Sequence, residues 1–279
     1  MRLLITTAAA FVFSLPASIA QDTDHTQGLR VSTHIYDVEH AASDGRAPVL
    51  SASLSLFHNG RVYDSVESAE EILIFDPSER RFVILNMARE LITTVQFEEM
   101  NHLLESHRPT AEQYIRELTS SNGPGATRVA ESLRFQLEPR FHQKFDAASG
   151  HLVLSAPLWT YRVETRPWED TSQLQTYLTY ADWTARLNYI MRPNSLFPEP
   201  RLELNRVLRE HKNRMPVVVE LDLTPGEALR LRAEHRFTLG LSDDDHRRVS
   251  RWDDIVRNNT FRKLSFRSYQ ETVLISQAR

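Results

Sequence analysis

The chain has 279 residues, with 33 basic and 37 acidic side chains, a formal charge of -4 and no cysteine. Charged residues at 25% and hydrophobic ones at 41% describe a folded chain with a proper core, and the slight acidity gives no electrostatic reason to expect nucleic acid as a partner. The missing thiol excludes disulfides, cysteine nucleophiles, cysteine-zinc sites and iron-sulfur clusters, and three lysines (Lys144, Lys212 and Lys263) leave few candidates for Schiff-base chemistry.

Met1-Arg2 is followed by an apolar run from Leu3 to Leu15, then Pro16 and Ala17-Ser18-Ile19-Ala20, with small residues where a signal peptidase reads. This predicts a signal peptide over residues 1–20, cleavage near Ala20, and a mature chain of residues 21–279 that is exported to the periplasm or secreted. The apolar core is too short to span a bilayer, and no later stretch of about 18 apolar residues predicts an integral membrane segment.

In the first third, Leu29, Val31, Thr33 and Ile35 alternate with polar neighbours, as do Leu50, Ala52, Leu54 and Leu56 with serines. A period of two places one face of each strand on a core. Asn59-Gly60 between strand-like runs predicts a tight hairpin, because both residues tolerate positive φ. Asp76-Pro77-Ser78-Glu79 predicts a second turn between Glu71–Phe75 and Arg81–Leu85.

Helices are expected next. Phe97, Met100 and Leu104 recur at helical spacing, and Thr110 with Gln113 fits a capping box opening a further helix through Tyr114, Ile115 and Leu118. Asn122-Gly123-Pro124-Gly125 ends that helix, and Thr127 is expected to cap another through Leu137. Strands return at His151–Leu154 and Trp159–Val163 across an Ala148-Ser149-Gly150 turn. Asp170 to Met191 is the most aromatic helix; its apolar arc, including Tyr177, Tyr180 and Trp183, is wide enough for burial on more than one side. A short helix through Leu204, Val207 and Leu208 leads to two more strands. In the second, Leu229, Leu231, Ala233, His235, Phe237 and Leu239 alternate with arginines and other polar residues, so that one face is dry and one wet. Ser242 is expected to cap a last helix whose first turn holds Asp243, Asp244 and Asp245. Strands on both sides of the Pro193–Pro200 loop argue for a single domain.

Chemistry is sparse. Eleven histidines include no zinc-binding pair one helical turn apart, and His102 and His107 fall on different helix faces, so no metal site is expected. The three aspartates fit helix capping better than calcium ligation, which needs alternating oxygens and a central glycine. No nucleophile elbow, phosphate loop or dinucleotide fingerprint occurs, so no catalytic residue and no cofactor is assigned. His235, on the apolar face of a strand, is either a neutral core histidine or a functional group. Arg257 to Arg279, with Phe261, Phe266 and Tyr269 among five basic residues, reads as a solvated amphipathic face, with contact to anionic lipid or nucleic acid as the alternative.

An export signal, a strand meander, Asn59-Gly60, Ile74-Phe75-Asp76-Pro77 and inserted helices together resemble the periplasmic lipoprotein-carrier family and its half-barrel relatives. That resemblance implies an unclosed antiparallel sheet wrapped around helices and sheltering acyl chains. It covers Asn59–Leu85 and, more loosely, Met215–Leu239, and it carries over no binding residue. The expected fold is therefore α+β, a curved antiparallel sheet forming an open half-barrel packed around several helices. The expected function is a non-catalytic binding protein of the cell envelope that shelters an apolar or lipid-like ligand, with Tyr177, Tyr180, Trp183, His235 and Phe237 as ligand-binding residues. Two alternatives stand beside it: an envelope scaffold that binds a protein partner, and a hydrolase built on a histidine and a carboxylate.

Overall fold

The structure, a computed structural model, describes residues 28–42, 45–121, 123–192, 195–223 and 229–277. The segment expected to be a signal peptide lies outside the described residues, as does Pro193 of the expected loop.

Six strands come first: β1 (Leu29–Asp37), β2 (Val49–His58), β3 (Arg61–Val66), β4 (Glu71–Asp76), β5 (Arg81–Asn86) and β6 (Leu91–Gln96). They form an antiparallel meander whose turns follow from sequence. Asn59 and Gly60 have φ of 48° and 74°, the left-handed conformations that a two-residue hairpin between right-twisted strands needs. At the next turn Asp76 accepts hydrogen bonds from the Ser78 hydroxyl at 2.7 Å and the Glu79 N–H at 3.3 Å. Helices α1 (Phe97–Ser120) and α2 (Pro124–Leu137) precede a second meander of β7 (His142–Asp146), β8 (His151–Ala156) and β9 (Trp159–Pro167). Then come α3 (Thr171–Met191), α4 (Glu199–Glu210), β10 (Arg214–Leu223), β11 (Leu229–Leu239), α5 (Asp243–Asn258), the two-residue β12 (Arg262–Lys263) and α6 (Phe266–Gln277).

All strands join one open sheet in the order β12-β6-β5-β4-β3-β2-β1-β11-β10-β9-β8-β7, antiparallel throughout except where β12 runs parallel to β6. The expected α+β class, an unclosed sheet packed on helices, is what the chain adopts. The two meanders meet where β1 pairs with β11, from Leu29↔Leu239 to Asp37↔Leu231. One face of the sheet, here the inner face, carries Val62, Phe75, Phe82 and Ile84, and packs against Leu174, Tyr177, Leu178 and Leu187 of α3 and Leu204 and Leu208 of α4. The opposite, outer face is apolar over β2–β6, where Leu56, Tyr63, Ile74, Val83 and Leu85 pack against Val249 and Trp252 of α5.

Several local expectations change. Thr110 opens no new helix: α1 continues through Pro109. An interior proline costs about 3 kcal/mol, but Phe97 and Met100 bury one end of this helix and Ile115 the other, so packing holds both halves in line. Thr127 lies inside α2, whose N-cap is Gly123, with Pro124 in the first turn. Ser242 caps α5 as expected, in a full capping box with Asp245, but α5 is not the last helix. The basic carboxy-terminal stretch instead forms α6, and its Phe266 and Tyr269 are buried in the inner core instead of facing solvent or lipid. The Tyr269 hydroxyl donates to Glu71, and the Gln270 amide donates to the Ile190 carbonyl at 2.6 Å. Among the described residues no helix is long and apolar enough to cross a membrane.

Candidate functional site

β10 and β11 run together over most of their length and part at one end. They pair from Leu223↔Leu229 to Val218↔Glu234 and no further. Beyond that point β11 stays with β1 as far as Leu239, and β10 stays with β9 as far as Arg214↔Pro167. The parting coincides with a bulge, because the register of β10 on β9 skips Val217 between Pro216 and Val218. A proline gives no N–H to a ladder, and an extra residue bends its strand, so the local sequence accounts for β10 turning away.

The separated end of β11 keeps an unpaired edge. The Val38 N–H donates to the Arg230 carbonyl at 2.9 Å, and the Gly240 N–H to the Gly28 carbonyl at 2.7 Å. Even-numbered residues of β11 therefore turn their backbone groups toward β1, and the odd-numbered ones turn theirs the other way. Phe237 and Leu239 accordingly direct N–H and C=O toward the side that β10 has left, and among the described residues no strand pairs with them there.

The gap forms a cleft of about 580 Å³, a size typical of ligand sites. Its outer walls are polar. Register places Tyr36 opposite Arg232, His34 opposite Glu234 and Ser32 opposite Arg236, so all share the outer face, and Glu164 and Arg166 of β9 stand across the gap. Arg232 is tied to Glu220 at 3.0 Å and Glu234 at 2.8 Å. Arg166 and Arg236 are exposed and make no ion pair among the described residues. On the inner side Trp168, His235 and Phe237 line the same cleft. They form a ring cluster with Tyr177 of α3: Trp168 lies 5.5 Å from Phe237, and Tyr177 lies 5.4 Å from Phe237 and 6.0 Å from His235.

Two polar atoms in this cluster lack a protein partner. They are Trp168 Nε1 and His235 Nε2, both shut off from solvent. Each such group costs about 1–3 kcal/mol when left unsatisfied. His235 Nδ1 meets the Thr33 hydroxyl at 2.9 Å, which leaves Nε2 unpaired in either tautomer. Burial, helped by the positive charge of Arg201, pulls the imidazole down to about 3, so it is neutral at physiological pH. A base that weak draws little from general-base catalysis near neutrality, and its hydrogen-bonding neighbour is a hydroxyl, not a carboxylate.

Of the residues singled out from sequence, Tyr177, His235 and Phe237 come together here. Tyr180 and Trp183 go elsewhere along α3. Tyr180 packs on Phe57 at 5.8 Å and Phe75 at 5.7 Å, and Trp183 stacks on Phe97 at 3.8 Å beneath the Arg186 guanidinium. Near Tyr180 the buried Asp64 carboxyl accepts from the Ser55 hydroxyl at 2.7 Å, and burial raises its pKa. Burial and the neighbouring Asp64 push the Tyr180 hydroxyl well above its usual range. Trp168, Arg166, Arg236, His34 and Tyr36 escape a motif-based reading. The available signal was Pro216 just ahead of the Val217–Val219 run of strand formers, which marks an interrupted ladder.

No protein-family model matches the chain, and no curated protein matches it. The case for a function rests on the geometry of the cleft.

Proposed function

We propose that the protein is an exported, non-catalytic binding protein of the cell envelope, and that its binding site is the cleft between β10 and β11. The observation that carries this reading is the split in the sheet, which leaves an unpaired backbone edge and two guanidiniums without an ion pair, among the described residues, around one volume. Export rests on the amino-terminal sequence, with its short basic start, apolar run and small residues before Gln21.

The reading favours a protein partner over an acyl chain. A carrier of the half-barrel kind keeps space between sheet and helices for apolar chains. Here Tyr177 and Tyr180 are 5% and 6% exposed and packed ring on ring against Phe57, so the face of α3 toward the sheet is occupied by the protein itself. The cleft has walls too polar for a lipid tail, with three arginines and two glutamates.

The test is a photo-crosslink in the native compartment. Tyr36→p-benzoylphenylalanine places the probe in the cleft, and Tyr114→p-benzoylphenylalanine places it on the exposed face of α1. Adducts of defined mass from position 36, absent from position 114, are the expected outcome. No adduct at 36, or the same adducts at both positions, overturns the cleft as the site.

A further inference from the structure

We infer that the cleft takes an extended acidic peptide segment, which adds to the sheet as a strand along the free edge of β11. The inference rests on the cleft being the binding site and goes on to name the class of partner.

Two features point to backbone recognition. Phe237 and Leu239 turn two N–H and two C=O groups toward the gap, with no strand among the described residues to receive them. Such a row is a template for an added strand, and main-chain pairing gives affinity without demanding a particular side chain. The side chain of Leu239 is 69% exposed, the most open large apolar residue of the fold among those described. An opposing strand would cover it, since directly paired residues share a face.

The side chains that flank this edge set the partner's pattern. Residues paired with Phe237 and Leu239 point inward, toward Trp168 and the ring cluster, and present their own N–H groups to β11. Small apolar residues suit those positions. The residues between them point outward, where Arg236 on β11 and Arg166 on β9 make no ion pair among the described residues. Acidic residues suit these. Glu164 also faces the cleft, but among the described residues it forms no ion pair with either guanidinium. At ~3.3 Å per residue, a segment of about four residues spans the free edge. The chemistry therefore selects an alternating apolar-acidic peptide.

The probe is the blocked hexapeptide acetyl-VEVEVE-amide, titrated calorimetrically into the mature chain from Gln21, with amide exchange followed by NMR. Its counterpart N-methylated at each valine keeps the charges and side chains but removes the donors that face β11. The expected result is binding, slowed exchange at the Phe237 and Leu239 amides, and a loss of at least about tenfold on methylation, the cost of one or two hydrogen bonds. The double variant Arg166→Ala/Arg236→Ala should weaken the unmethylated peptide and reduce the salt dependence of its binding. Equal binding of the two peptides, or none tighter than about 1 mM, overturns strand addition. Neither outcome touches the crosslink at position 36, whose adduct mass would then identify a non-peptide ligand. An absent crosslink would instead remove the site itself.

Discussion

The outer face of the sheet changes character at β1. On one side, over β2–β6, Tyr63, Ile72, Ile74, Val83 and Leu85 form an apolar layer that α5 covers with Val249 and Trp252. On the other, over β11, β10 and β9, the equivalent positions are mostly arginines and carboxylates, no helix among the described residues covers them, and the ladder opens into a cleft. Both halves bury the same kind of inner face against α3 and α4. The difference shows that one side of a long sheet can be committed to stability while the corresponding surface elsewhere stays open, provided that the inner core runs under both.

The strongest way to break this comparison is to strip the cover from the apolar half. Trp252 is 6% exposed and stacks on Tyr63 with centroids 6.3 Å apart, and the Tyr63 hydroxyl donates to Asp253 at 3.0 Å. Trp252→Ala should cost about 3–5 kcal/mol, the range for emptying an aromatic site in a core. Urea unfolding followed by far-UV circular dichroism measures it. A loss under about 1 kcal/mol would mean that α5 is a loose accessory and that the two outer faces are energetically alike.

The sharper test lies in the cleft half and uses acid. His235 titrates near 3 when folded and near 6.5 when unfolded, so between those values the unfolded chain holds a proton that the folded one lacks. Stability is then independent of this group above about pH 6.5 and falls as pH drops below it, by about 1.4 kcal/mol per unit until about pH 3. His235→Asn keeps a partner for the Thr33 hydroxyl and cannot charge. Between pH 7.5 and pH 5 the parent should lose about 2 kcal/mol more than the variant. Parallel pH profiles would place the imidazole in water and remove it from the floor of the cleft.

How much of this was legible in the sequence depends on distance along the chain. The alternation in β2, the positive-φ Asn59-Gly60 turn, the Asp170–Met191 helix and the Ser242 cap are local, and local propensity decides them. The pairing of β1 with β11 joins residues about two hundred positions apart, such as Thr33 and His235, and no periodicity announces it. For the same reason sequence could put His235 and Phe237 on the dry side of a strand but could not tell that β10 abandons that strand. Pro109 shows the converse. A capping box read from Thr110 and Gln113 suggested a second helix, yet α1 runs straight through Pro109, held by burial at both ends. Phe266 and Tyr269 lay in a run that looked amphipathic and basic, yet tertiary packing drew both rings into the core.

The smallest expected effect concerns the charges themselves. Arg232 holds Glu220 and Glu234 on the open face, but its side chain is 35% exposed, and exposed pairs contribute only about 0–1 kcal/mol each after solvent screening and side-chain entropy. Arg232→Met keeps the aliphatic stem and removes both pairs, so it should change unfolding free energy by no more than about 2 kcal/mol, and by less in high salt. The contrast with Trp252→Ala carries the argument. If the outer charges of the cleft half were structural, their removal would rival the loss of the indole. A near-neutral result leaves that face free of a structural duty, which is the condition for it to serve a partner. A large loss would instead make the arginine–glutamate network the counterpart of α5, and the cleft a by-product of how the strands are held together.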